Sequence, residues 1–342
     1  MTVRIINADV MAGLRELADE SVHCVVTSPP YWGLRDYGAD GQIGLEATWP
    51  DHLAKLVEVF RRVRRVLRAD GTLWLNYGDA YANDDKLGGS TSGKHVAALH
   101  GKTKIGRAKR RTGLKPKDLM LMPERLAIAL QDDGWWVRSR IIWAKPNPMP
   151  ESITDRPTKS HEHIWLLTKS ARYFYDAPAI KERATWPDGP NSSESIKSPY
   201  GQGVTRRAGA PVVGENRKPL RSNLESRHRA CIKGGQSMQA APDGSRNARD
   251  VWTIATAPFA EAHFATFPPA LAERCIKAGC PAGGTVLDPF GGAGTTGLVA
   301  DRLQRNAVLI ELNSDYAAMA RRRIDADRSE LLDMMEAGEV PA

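Results

Sequence analysis

The chain has 342 residues, enough for one elaborated domain or a domain with an insertion, and its 48 Lys and Arg against 40 Asp and Glu leave a formal net charge of +8 that suits a polyanionic partner without requiring one. Its cysteines (Cys24, Cys231, Cys275 and Cys280) show no CxxC spacing, so neither a disulfide framework nor a structural zinc or other metal site is expected. Met1 to Ile6 holds no signal-peptide core and no apolar run approaches membrane-spanning length, which predicts a soluble cytoplasmic protein without membrane contact.

In chain order, Val3 to Ile6 reads as a short strand and Val10 to Leu17 as an amphipathic helix with Val10, Leu14 and Leu17 on one face. Val22 to Val26 is a buried strand that stops at Thr27-Ser28-Pro29-Pro30-Tyr31. Leu53 to Leu67 has helical spacing, with Arg61, Arg62, Arg64 and Arg65 in its last turns where cations favour a helix C-terminus. Ala69-Asp70-Gly71 is read as the stop, and Thr72 to Asn76 as the next strand. Alternating strands and helices of this kind predict a parallel sheet.

The rhythm breaks over 84–118, where Lys102, Lys104, Arg107, Lys109, Arg110 and Arg111 crowd together. Two readings stand: a solvated surface loop, or a mobile basic arm that touches phosphates. A helix is expected over Pro123 to Leu130, a strand over Trp135 to Trp143, and another from about His163 to Tyr175. A second irregular stretch, 181–250, is poor in apolar residues and basic through Arg206, Arg207, Arg217, Lys218, Arg221, Arg227 and Arg229. Beyond it come a helix over Pro268 to Ala278, a strand over Thr285 to Leu287, a helix over Thr295 to Leu303 and a strand over Ala307 to Ile310 that ends in Glu311.

Between those last two strands lies Asp288-Pro289-Phe290-Gly291-Gly292-Ala293-Gly294-Thr295-Thr296. Strand, glycine turn, helix, strand, acid is the pattern of a nucleotide site: glycines let the backbone approach the ligand, and the carboxylate accepts hydrogen bonds from ribose hydroxyls. No lysine follows the turn, which excludes a Walker loop, and the spacing is not the GxGxxG of dinucleotide enzymes.

Ser28-Pro29-Pro30-Tyr31 suits a flat base that bears an amino group. The lone pair of such an amine is delocalised into the ring. Acceptors for its two hydrogens pull the nitrogen toward a tetrahedral form and free that pair for in-line attack. The Ser28 hydroxyl and the Pro29 carbonyl can be those acceptors, pre-aimed by the proline backbone, and Tyr31 offers a ring face for stacking. The plain alternative is a proline turn that ends a strand, with Tyr31 as packing.

Together the two segments resemble the DNA amino-methyltransferases, with the catalytic segment ahead of the glycine turn as in the beta class. Tyr31 to Gly38, Gly71 to Asn76, Ile141 to Pro150 and Asp250 to Ile254 look like stretches common in that family. The resemblance implies a Rossmann-like methyltransferase sheet in the α/β class, mostly parallel, covered by helices on both faces, with circularly permuted motif order and basic insertions. It implies S-adenosylmethionine as cofactor, held by Asp288, Phe290, Gly291, Gly292, Gly294 and Thr295, with Glu311 on the ribose and Asn313 just beyond. Phe267, in His263 to Pro268, resembles the segment over the methionine end. Asp9 stands where the family places an acid near the adenine amino group, but Ala8 departs from the usual Gly, and a helix cap is the equal alternative.

By the same resemblance 1–83 with 119–180 forms the catalytic half, 251–330 the cofactor half and 331–342 a tail. The insertion 181–250 is expected to read the target through Arg206, Arg207, Arg217, Arg221 and Arg227, while Lys109, Arg110 and Arg111 in 84–118 meet phosphates. Double-stranded DNA is the implied partner, and a homodimer and a cognate restriction endonuclease are compatible with it. Ser at the first motif position is commoner in N4-cytosine enzymes, so cytosine N4 is favoured and adenine N6 is the alternative. A non-enzymatic DNA-binding protein would explain the charge but leave both motifs idle.

Overall fold

A computed structural model describes residues 1–34, 39, 41–82, 112–184, 244–257 and 268–336, apart from the side chains of 331–336. The chain divides into two compact units, one of Met1–Ala179 with Arg249–Ala342 and the other of Ile180–Ala248.

The first unit is built on an eight-stranded sheet. Its strands are β1 (Val3–Asn7), β2 (Val22–Thr27), β3 (Leu67–Tyr77), β4 (Trp136–Ala144), β5 (His161–Thr168), β8 (Val251–Thr253), β9 (Thr285–Asp288) and β10 (Asn306–Glu311), in the spatial order β1-β10-β9-β2-β3-β5-β4-β8. All pairings are parallel except those of β5 with β3 and β4, so β5 alone runs against the other seven. The mostly parallel sheet is as expected.

Helices cover both faces. α1 (Val10–Arg15), α2 (Trp49–Val66) and α3 (Met122–Asp132) pack side by side on one face, and α4 (Pro269–Gly279), α5 (Thr295–Arg302) and α6 (Ser314–Glu336) on the other. The period of two along the strands explains this. Val25, Leu73, Leu75, Tyr77, Leu287 and Ile310 join Leu14, Leu56, Phe60, Val63 and Leu126 in one buried cluster. The alternate residues Cys24, Trp74 and Val286 are also buried and are left for the second helical layer, where Ala272, Cys275, Ile276 and Val299 are buried as well.

Local boundaries differ from expectation at four places. α2 begins one turn early because Thr48 caps it, accepting from Asp51 N, with Pro50 in the first turn. Ala69-Asp70-Gly71 is not a separate stop: α2 ends at Val66, and these residues enter β3 through an irregular register opposite β2. β5 ends at Thr168, whose hydroxyl donates to Ser170 O, so Tyr173 to Tyr175 lie outside it; Tyr175 stacks on Trp74 instead. α6 continues to Glu336, into the stretch read as a tail.

In the second unit, β6 (Glu182–Arg183) pairs antiparallel with β7 (Ser245–Arg246). Lys109, Arg110, Arg111, Arg206, Arg207, Arg217, Arg221, Arg227 and Phe267 lie outside the described residues. Among the described residues no helix is long and apolar enough to cross a membrane.

Candidate active site

Seven co-directed strands bring their carboxyl ends to one edge, and the reversed β5 brings its amino end there. That edge carries a cavity of about 690 Å³. Asp9 follows β1, Ser28 to Tyr31 follow β2, Asn76 is near the end of β3, Lys145 follows β4, and Glu162 is the second residue of β5. Asp288 to Ala293 follow or end β9, Glu311 ends β10, and all of these residues line the cavity.

One side has the form of a nucleoside cradle. The buried Asp288 ties the turn together: Oδ1 accepts from Phe290 N at 3.1 Å and Oδ2 from the Thr296 hydroxyl at 2.7 Å. Oδ1 also accepts from the Thr27 hydroxyl at 2.7 Å, which fastens the glycine turn to the residue just before Ser28. Burial pushes the Asp288 carboxyl up to about 6, against the three donors that favour its charge. Glu311 accepts from Gly292 N and from Asn313 N, each at 2.8 Å, so both oxygens are fixed where the carboxylate borders the cavity. Burial lifts its carboxyl above the ordinary value, and those backbone donors oppose the lift.

The other side holds the proline turn. The Tyr31 hydroxyl lies 3.4 Å from Ser28 Oγ and 3.2 Å from Glu162 Oε2. Glu162 Oε2 also accepts from Asn76 Nδ2 at 3.1 Å, and Oε1 is paired with the Lys145 ammonium. Burial works against the Glu162 charge, but Lys145, Asn76 and Lys159 outweigh it and hold the carboxyl below its ordinary range. Burial and the neighbouring Glu162 push the Tyr31 phenol well up, so it remains a donor. The Tyr31 ring meets Tyr77 edge to face, centroids 4.9 Å apart, and passes so close to Gly78 that a Cβ there would stand 2.6 Å from Cε2. Tyr77 is anchored in turn by the fully buried His52, whose Nε2 lies 2.8 Å from the Tyr77 hydroxyl and whose Nδ1 lies 2.8 Å from Glu46 Oε2.

Ser28, Pro29, Pro30 and Tyr31 therefore share one cavity wall system with Asp9, Asp288, Phe290, Gly291, Gly292, Thr295, Glu311 and Asn313. Gly294 is not on that wall. It caps α5 with φ 79°, and a Cβ there would lie 2.8 Å from Ala320 Cβ, so its task is the turn and the close approach of α6. Asp9 does cap α1, accepting from Met11 N at 2.9 Å and Ala12 N at 3.2 Å, and it borders the cavity as well. Asn313 Oδ1 accepts from Asp315 N and Tyr316 N at the start of α6. Sequence reasoning missed Glu162, Lys145 and Asn76; the strand-end Trp143-Ala144-Lys145 was the available signal. Among the described residues no group of His, Cys, Asp and Glu could hold a metal ion.

A glycine turn and a proline turn fastened to each other around one cavity, at the carboxyl edge of a doubly covered α/β sheet, give the layout of the Rossmann-like class. Residues 22–322 match the family model N6_N4_Mtase, described as DNA methylase, and the chain belongs to that family. It is 44% identical over 321 residues to the type II methyltransferase M.SmaI of Serratia marcescens, across 94% of this chain and 90% of that one. To M.XycI of Xanthomonas campestris pv. cyanopsidis, also a type II methyltransferase, it is 43% identical over 328 residues, 96% and 89% of the two chains. Two solved structures share the fold. PvuII DNA methyltransferase (cytosine-N4-specific) aligns with a TM-score of 0.58 at 16% identity, over 97% of this chain and 93% of that one. TTHA0409 of Thermus thermophilus, complexed with S-adenosyl-L-methionine, aligns with a TM-score of 0.54 at 22% identity, over 95% and 94%. The protein is thus a DNA methyltransferase of the amino-directed group, with its proline turn ahead of its glycine turn as in the beta class.

Proposed function

We propose that the enzyme methylates the exocyclic N4 of cytosine at a specific site in duplex DNA, on a base turned out of the helix. The observation that carries this is the Thr27–Asp288 hydrogen bond, which sets the amine-accepting turn and the nucleoside cradle around one cavity. The cradle fits S-adenosylmethionine: Glu311 offers a fixed carboxylate to a ribose diol, Phe290 offers an apolar wall, and Asp9 offers an acid to an amino group. When bound, that cofactor supplies an electrophilic methyl.

The chain's own residues do the rest. Ser28 Oγ and the Pro29 carbonyl accept the amine hydrogens, and the prolines hold those acceptors in place before the base arrives. Tyr31 stacks on the turned-out base while its hydroxyl is locked by Glu162, which Lys145 and Asn76 hold charged and oriented. The amine proton becomes acidic only as the new bond forms, so no strong base is required at the start.

The choice of cytosine rests on Ser28 at the first motif position and on the donors nearby. Beside its amine, cytosine presents two acceptors, O2 and N3, and Lys145 and Lys159 both border the cavity. Adenine presents only N1 on that edge. On the type II label of the relatives, this reading includes a cognate endonuclease, and a homodimer is compatible with it. Nucleoside mass spectrometry of DNA from expressing cells tests the base: N4-methylcytosine is expected, and N6-methyladenine in its place would overturn the cytosine reading.

A further inference from the structure

Removing a base from a duplex leaves a gap in the stack, and proteins that open a base step commonly do so with an apolar side chain. Met149 has the properties such a task needs. It lines the same cavity as Ser28 and Tyr31, yet 88% of it is exposed, so it stands at the mouth rather than in the wall. An apolar side chain so exposed adds nothing to the core.

The backbone around it is held on both sides. Pro148 and Pro150 flank it and fix their own φ angles. On the amino side, Asn147 Nδ2 donates to Thr256 O at 3.2 Å and Asn147 Oδ1 accepts from Thr256 N at 3.0 Å. On the carboxyl side, Glu151 Oε2 accepts from Arg156 Nη1 at 3.0 Å and from Lys159 N at 3.2 Å. The result is a stiff mount for a flexible, unbranched tip. A thioether side chain adapts to the irregular gap between flat bases better than a branched one.

We propose that Met149 is the wedge that enters the DNA stack beside the target base and fills the space the base vacates. The proposal rests on the reading that the target base is turned out. Leu34 is also exposed and borders the cavity, and it provides the comparison.

The test uses a duplex with the sequence the enzyme methylates, mapped by modified-base sequencing, and with 2-aminopurine at the target position. The parent enzyme should raise its fluorescence on binding, and Met149→Gly should bind the duplex but lose most of that rise. On unlabelled duplex, kcat/KM of Met149→Gly should fall by about 10- to 100-fold, the scale of opening one base step. With the target base opposite an abasic site, where no partner holds it in the stack, most of that loss should vanish. Met149→Leu should retain activity within a few-fold. A parent enzyme that gives no fluorescence rise would overturn base flipping itself, and the wedge with it. A rise retained in Met149→Gly, equal losses on paired and abasic-opposed substrates, or a loss confined to Leu34→Ala would overturn the wedge alone.

Discussion

The Thr27 hydroxyl and Asp288 Oδ1 lie 2.7 Å apart although 261 residues separate them in the chain. Their strands, β2 and β9, are adjacent and parallel, so the two sides of the cavity are joined at neighbouring strand ends by this buried hydrogen bond and by a longer one from the Thr296 hydroxyl to Val26 O. Thr27→Val keeps the shape and removes the donor. It should cost about 1–3 kcal/mol of stability in urea unfolding, since Asp288 loses a partner in a dry site. Turnover should fall with it, because Ser28 follows directly. An unfolding curve that superimposes on the parent's would remove this bond from its structural role.

Asp288 gives a pH signature. Its folded carboxyl titrates near 6 against an ordinary value of 3.8, so the folded state holds the proton longer than the unfolded chain. Its contribution to stability is therefore full below about pH 4 and is lost as pH rises through about 6. A gap of roughly 2 pH units corresponds to about 3 kcal/mol. The stability of the parent minus that of Asp288→Asn should fall by up to that amount between pH 4 and 7. Parallel stability profiles for the two proteins would contradict it.

Tyr31 has two separable parts. Tyr31→Phe keeps the ring against Gly78 and Tyr77 and removes only the hydroxyl that Glu162 holds, so turnover should drop modestly. Tyr31→Ala also loses a stacking surface worth roughly 1–3 kcal/mol per base, a factor of about 5 to 150 in capture of the base. Cofactor affinity should stay near the parent value in both. Steady-state assays with calorimetry resolve the two effects, and unchanged turnover in Tyr31→Ala would count against the assignment.

For Glu311→Ala, calorimetry should show S-adenosylmethionine binding weakened by about 1.5–3 kcal/mol, the scale of charge-assisted hydrogen bonds. The substitution also frees Gly292 N and Asn313 N, so Glu311→Gln is the milder companion and should fall between. Equal affinity in all three would move the ribose site elsewhere.

The basic residues in question all fall within 83–111 and 185–243, outside the described residues, and their test is in solution. Neutralising Lys109, Arg110 and Arg111 should weaken binding to all duplexes alike and reduce the salt slope by about 0.9 per lost phosphate contact. Substitutions among Arg206, Arg207, Arg217, Arg221 and Arg227 should instead relax sequence preference, by about 1–3 kcal/mol for each lost bidentate guanine contact. Methylation mapping on random-sequence DNA at two salt concentrations distinguishes them.

The elements that sequence reasoning captured are those with short-range causes. The strand over Val22 to Val26 shows itself as a short apolar run, the glycine turn shows its residues, and Glu311 stands at a strand end that apolar Val308 to Ile310 announce. Glu162 was not legible because nothing local states that β5 runs backwards, and only that reversal brings its second residue to the ligand edge. Tyr173 to Tyr175 has the aromatic content of a strand, but Tyr173 lies under the Arg138 guanidinium at 5.5 Å and Phe174 N donates to Asp70 O. In α6, Arg321-Arg322-Arg323 interrupts a sparse apolar stripe of Ala317, Ala320 and Ile324, which buries the helix but barely marks it.

The reversal of β5 has a practical side. Ala144 and His161 face each other across the β4–β5 ladder, so the intervening residues leave and re-enter the sheet at one point. A segment bounded in this way behaves as a cassette: its length and composition can change while the eight-strand register stays fixed. Exchange of residues 146–158 between relatives, with Lys145 and Lys159 kept, is therefore a graft the scaffold should tolerate, and a compact route to enzymes that enter DNA differently.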